Sequence, residues 1–167
     1  AEHQAKVFHE KVKPQKTTKV LDYGCGKSLT MSRVCKEVNG FQPYLFDVSN
    51  RYLPIWSQFT DPERCFVEEI PHALSNYFDV VSSFYALEHI DDLDQCLDAV
   101  RNALVDGGLF YFIVPNVLEN YADIIVADHS NHFTESSLNT LLLRNGFENT
   151  VIDAESHSAA FIITARK

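Results

Sequence analysis

The sequence predicts an α/β protein with a doubly wound, mostly parallel sheet, on three observations. Short apolar segments alternate with stretches of helical periodicity, and a tight Gly-x-Gly turn joins the first such segment to the first helix. A later segment, Leu109 to Val114, is apolar on both faces, as a central parallel strand is.

Each element can be justified in turn. Lys19 to Tyr23 is a short apolar strand followed by turn glycines. Met31, Val34, Cys35 and Val38 then repeat at the spacing of a helix with one buried face, and Asn39-Gly40 stops it. Gln42 to Asp47 forms a second strand with an acid at its end. A right-handed crossover sets these two strands side by side with their carboxyl ends on one edge. Phe78 to Ser83 is the next strand, and Leu93, Cys96, Leu97, Val100 and Leu104 mark the helix after it. Asp106-Gly107-Gly108 reads as a turn into the strand at Leu109. Thr134 is a fitting N-cap for a helix carrying Leu138, Leu141 and Leu142, which Asn145-Gly146 ends. Thr150 to Ala154 and Ala159 to Ala165 leave no room for a crossover helix, so they form an antiparallel hairpin.

Composition narrows the function classes. The chain has 167 residues, the size of one domain with its own core. With 23 acidic and 14 basic residues, its net charge of -9 repels phosphate backbones, so nucleic acid is a disfavoured partner. The longest apolar run is far short of the ~20 residues a membrane span needs, and the polar, charged start is unlike a signal peptide. Cys25, Cys35, Cys65 and Cys96 contain no C-x-x-C pair and read as reduced thiols of a cytoplasmic protein. No His and carboxylate set shows a metal-ligand spacing, so no metal is expected.

The segment LDYGCGKSLT (21–30) invites three readings. A nucleotide P-loop needs a glycine five residues before Gly26, where Leu21 stands. A dinucleotide fingerprint needs a third small residue where Leu29 stands. What survives is a strand, an acid, a Gly-x-Gly turn and a helix start, with Asp47 placed 23 residues beyond Gly24 to accept hydrogen bonds from a ribose. A nucleoside cofactor without pyrophosphate suits this set, and S-adenosylmethionine is one.

Val20-Leu21-Asp22-Tyr23-Gly24-Cys25-Gly26 resembles the first motif of class I S-adenosylmethionine-dependent methyltransferases. FDVVSSFYALEHIDD (78–92), LVDGGLFYFIVPN (104–116) and HFTESSLNTLLLRNGFE (132–148) resemble later stretches of that family in the same order. The last stretch is similar to enzymes acting on small molecules and sugars. The resemblance implies a Rossmann-like sheet of seven strands with an antiparallel C-terminal strand inserted beside the fifth. It implies a single domain over 1–167, with residues 1–18 as an N-terminal extension shorter than the family usually carries.

The resemblance also implies a cofactor set of Asp22, Gly24, Cys25, Gly26, Asp47, Val48, Ser83 and Phe84. Gly24 and Gly26 admit the methionine part, Asp22 organises the loop, Val48 flanks the adenine, and Ser83 and Phe84 line the methionine side. Phe84 reads equally well as a core aromatic. Ser28 stands where the family has a third glycine, and residues 63–72 do not align with its usual adenine contact.

Methyl transfer to a hydroxyl gains from a base near neutral pKa, and histidine is the natural type. His89, after the fourth strand, and His129 and His132, before the last helix, are the candidates. Each could instead stitch a loop together. Asn116 either orients an acceptor or turns the chain. Residues 117–131 are too long for a plain connection and are expected to form a substrate lid, or else a short helix at 121–127 packed on the core. The expected reaction is methyl transfer to a small-molecule or sugar acceptor, most readily at oxygen. The alternatives are a non-catalytic cofactor-binding module and a nicotinamide oxidoreductase.

Overall fold

A computed structural model describes residues 1–167. In chain order the elements are α1 (Glu2–Val12), β1 (Val20–Tyr23), α2 (Leu29–Glu37), β2 (Tyr44–Asp47), the single turn α3 (Leu53–Trp56) and β3 (Cys65–Val67). Next come β4 (Phe78–Phe84), α4 (Leu93–Ala103), β5 (Leu104–Pro115), α5 (Glu135–Arg144), β6 (Glu148–Asp153) and β7 (Ala160–Arg166). The seven strands lie in the order β3-β2-β1-β4-β5-β7-β6. The pairs among β1 to β5 are parallel, and β7 runs antiparallel between β5 and β6. The predicted sheet, its parallel units and the final hairpin are all present.

Alternation along the strands divides the core into two layers. Leu21, Val81, Phe110 and Phe112 point to the face covered by α4 and α5, where Leu97, Val100, Leu138 and Leu142 meet them. Val20, Val80, Tyr111 and Ile113 point to the opposite face, against Phe8 of α1 and Met31 and Val34 of α2. α1 is therefore part of the domain and not an appendage: Ala5 and Phe8 are fully buried, and Gln4 accepts a hydrogen bond from Thr30 at 2.9 Å. α5 begins as read from the sequence, with Thr134 and Ser137 forming a capping box.

Two expectations need correction. Asp106-Gly107-Gly108 is not a free turn but an irregular stretch within β5, whose register against β4 shifts between Phe78 and Val80. Lys167 holds it there, accepting from Gly107 N at 3.1 Å and donating to Gly108 O at 3.0 Å. Residues Tyr121–Ile125 form a 3-10 turn, yet only Asp123 of that turn is buried, while Tyr121, Ile124 and Ile125 are exposed. It is a helix-like segment, but one that turns its apolar side chains to solvent. No helix of the chain is long and apolar enough to cross a membrane.

Candidate active site

The carboxyl ends of the parallel strands gather two sets of side chains. The first surrounds the β1–α2 loop. Asp22, only 1% exposed, accepts from the Ser28 hydroxyl at 2.6 Å and from the Ser82 hydroxyl at 3.0 Å. Burial raises its pKa from the ordinary carboxylate range to about 7, against the lowering effect of those two hydroxyls. Ser28 therefore does not crowd the loop's upper face. Its backbone is left-handed, and its side chain turns under the loop onto Asp22.

Gly24 and Gly26 differ in what they permit. Both have positive φ, but a Cβ on Gly24 would lie 2.8 Å from the Ala86 side chain, whereas one on Gly26 would meet nothing within 4 Å. The first glycine lets the β1 and β4 connections touch, and the second leaves open space above the backbone. Asp47 secures the far side of the loop: Oδ2 accepts from Gly26 N at 2.8 Å and Oδ1 from Ser49 N at 3.0 Å. Each oxygen keeps a further lone pair, and the residue is half-buried. Trp56 closes the loop from below by donating to Gly26 O at 2.7 Å. Cys25 docks on β2 through its N–H to Phe46 O at 3.0 Å, and partial burial pushes its thiol pKa far up, which disfavours the thiolate.

Two cavities flank this loop. One, of about 330 Å³, is bounded by Asp22, Cys25, Ser28, Tyr52, Phe84 and Tyr85. The other, of about 550 Å³, opens beside Tyr23, Val48, Glu69, Ile70 and Gln95. Val48 is 78% exposed at its rim. Phe84 is both wall and core, packing against Phe8 and Tyr111 with centroids 6.0 and 5.7 Å away. Ser83 is a correction. It is fully buried with no partner for its hydroxyl and borders neither cavity, so the edge position belongs to Tyr85, whose φ of 53° turns the chain there.

The second set joins the segments after β4 and β5. Asn131 donates from its backbone to Glu88 O at 3.0 Å and from its side chain to Leu87 O and Ile90 O. This clasp brings His89, His129 and His132 to one edge. Asp123, 1% exposed, sits between two of them: Oδ1 lies 2.6 Å from His129 Nδ1 and Oδ2 lies 2.8 Å from His132 Nδ1. His89 Nδ1 lies 2.9 Å from Asp128 O, and its ring meets that of His129 at 4.7 Å, nearly perpendicular.

Asn116 turns the chain, with its side chain accepting from Leu118 N at 3.0 Å. Sequence reasoning missed Asp123 as the hub and Glu88 as a buried carboxylate at the same place. The available signal was an acid next to His89 and a His-x-x-His pair preceded by Asp123.

Sheet order, glycine loop and strand-end acid together define the class I S-adenosylmethionine-dependent methyltransferase fold. Residues 4–151 match the family model described as "Methyltransferase domain", and the chain belongs to that family. S-adenosylmethionine is the methyl donor of this class.

A curated relative is the human mitochondrial ubiquinone biosynthesis O-methyltransferase, 27% identical over 116 residues. The match takes in 65% of this chain and 31% of that protein, so the chain spans about a third of the relative's length. Among solved structures, a SAM-dependent methyltransferase from Archaeoglobus fulgidus superposes with a TM-score of 0.76 at 17% identity, over 99% of this chain and 94% of that one. Phosphoethanolamine N-methyltransferase 2 of Haemonchus contortus, in complex with S-adenosyl-L-methionine, gives 0.74 at 16% identity, over 98% and 52%. At these identities the structures establish the fold.

Proposed function

We propose that this domain transfers a methyl group from S-adenosylmethionine to an oxygen of a small-molecule or sugar acceptor, with His132 as the general base. The observation that carries the reading is the Asp123–His132 pair. A buried carboxylate fixes Nδ1 as the protonated nitrogen and leaves Nε2 as the free acceptor of an exposed ring. In that arrangement His132 takes the proton of an acceptor hydroxyl, and Asp123 offsets the charge the imidazole gains. This is the orienting logic of a base held by a third group.

The residues around the loop suit the cofactor. When bound, it supplies an electrophilic methyl on a sulfonium. Asp47 retains lone pairs for ribose hydroxyls, Val48 stands at the rim where a base would lie, and the open space over Gly26 admits close approach of the cofactor to the backbone. Cys25, Phe84 and Tyr85 bound the methionine side. Little covalent assistance is required of the protein, since alignment alone can supply about 7–11 kcal/mol. The exposed apolar residues of the Tyr121–Ile125 turn would cover the acceptor. The four cysteines are free thiols, which suits a cytoplasmic setting, and the net charge of -9 disfavours nucleic acid as the acceptor.

The test is calorimetric titration with S-adenosylmethionine, S-adenosylhomocysteine and NADH on the wild type and Asp47→Ala, followed by an acceptor screen read by mass spectrometry. Selective binding of the first two, weakened in the variant, and a product methylated at oxygen are expected. Donor binding without turnover on any hydroxylated acceptor would leave a non-catalytic binding module instead.

A further inference from the structure

Beside the Asp123–His132 pair lies a set of side chains that the methyl-transfer reading does not use. Glu88, His89 and His129 each offer a ligand atom, and these atoms all lie within 4.8 Å of one another. Glu88 is 1% exposed, and its Oε2 is buried with no hydrogen-bond partner. Burying a carboxylate oxygen without a partner is costly, so this position calls for a cationic or donor group that the protein does not itself provide.

The two histidines are prepared as ligands. Nδ1 of His129 is held by the Asp123 carboxylate at 2.6 Å, and Nδ1 of His89 by the Asp128 carbonyl at 2.9 Å. In both rings Nδ1, facing an acceptor, carries the proton, which leaves the Nε2 lone pair free. A carboxylate or carbonyl behind a histidine, fixing its tautomer and orientation, is the usual outer shell of a metal-binding imidazole. The clasp by Asn131 onto Leu87, Glu88 and Ile90 fixes the two contributing segments relative to each other.

We infer that Glu88, His89 and His129 form a binding site for a divalent transition-metal ion of the zinc type, with Asp123 and Asp128 as its outer shell. Two imidazoles and one carboxylate match zinc and its first-row neighbours and are a poor set for magnesium, which prefers oxygen ligands. Bonds of about 2.0–2.2 Å set ligand atoms closer together than the 4.8 Å limit within which these three lie. Exposed His89 has the freedom to close that gap. Three protein ligands leave at least one coordination position for water or another oxygen donor.

The inference does not depend on methyl transfer, because its readout is metal binding. Untagged, chelator-treated protein is titrated with Zn²⁺, and with Co²⁺ while visible absorption is recorded. One equivalent of Zn²⁺ should bind with Mg²⁺ in excess, and Co²⁺ should develop the ligand-field bands of a nitrogen- and oxygen-ligated ion. Glu88→Gln and His129→Ala should weaken binding at least a hundredfold, and Asp123→Asn by about 10–100-fold through the outer shell. His89→Ala alters an exposed ring, so it gives a third ligand variant should the buried changes unfold the protein, which circular dichroism reports. His72→Ala should change nothing. Absence of binding at tens of micromolar Zn²⁺, or binding undiminished in the folded ligand variants, would overturn the site.

Discussion

The hydroxyl of Ser28 donates to the buried carboxylate of Asp22 at 2.6 Å, across the base of the glycine loop. The residue in the third-glycine position thus contributes a hydrogen bond that glycine could not, at the cost of a left-handed backbone for a side-chain-bearing residue. Ser28→Ala keeps the strain and loses the bond, so it should lower unfolding stability by about 1–3 kcal/mol. Ser28→Gly loses the same bond but relieves the strain, and should cost less. Urea unfolding of the two variants tests the order, and equal losses would mean that the φ of Ser28 carries no cost.

The two motif glycines should separate in the same assay. Gly24→Ala adds both a positive-φ penalty and a 2.8 Å clash with Ala86, whereas Gly26→Ala adds the φ penalty alone. The expected losses are roughly 2–4 kcal/mol for the first and about 1 kcal/mol for the second. Gly26→Ala should nonetheless weaken S-adenosylhomocysteine binding, because its methyl enters the open space above the loop. A folded variant with unchanged affinity would place the cofactor elsewhere.

Asp22 gives stability a specific pH dependence. Its folded pKa is raised to about 7, against 3.8 as the ordinary value, so the folded state holds a proton that the unfolded state releases between these limits. Stability must therefore fall as pH rises from about 4 to 7 and level off above, by an amount on the order of 4 kcal/mol. Burial raises the Glu88 pKa too, which acts in the same direction. The difference between wild type and Asp22→Asn isolates one group: the variant's profile should be flatter across that window. Parallel profiles would show that Asp22 stays ionised in the fold.

These residues also show how far the sequence could be read. The β1 motif, the α5 cap at Thr134 and the final hairpin were legible because each depends on neighbours in the chain. β3 offers only three half-buried residues, Cys65 to Val67, with no alternation to detect. α1 carries few apolar residues, and the burial of Ala5 and Phe8 is decided by α2 and β5, which lie far along the chain. Asp106-Gly107-Gly108 has turn chemistry, but Lys167 at the other end of the domain holds it in the strand. The histidine cluster was the least legible part. His89 and His129 are ordinary loop residues until the Asn131 clasp joins segments some forty residues apart. Local spacing offered the Glu88-His89 pair and the His-x-x-His pair after Asp123, but not that both rings share one carboxylate or that a Glu88 oxygen is left without a partner.

The Asp123–His132 pair sets the last expectation. If His132 is the base and Asp123 positions it, His132→Asn should lower kcat by about 10²–10⁴-fold while leaving S-adenosylmethionine affinity unchanged, because the ring takes no part in holding the cofactor. Asp123→Asn retains shape and hydrogen-bonding capacity but removes the charge that stabilises the protonated imidazole. It should therefore depress kcat less than loss of the ring does and move the acidic limb of the pH–rate profile, where the base becomes protonated, to lower pH. His129 shares the same carboxylate, and its replacement by Asn leaves Asp123 to His132 alone, so the base function should survive. A kcat loss in His129→Asn equal to that in His132→Asn would move the base to His129, and an unaltered kcat in both would leave alignment as the whole of the protein's contribution.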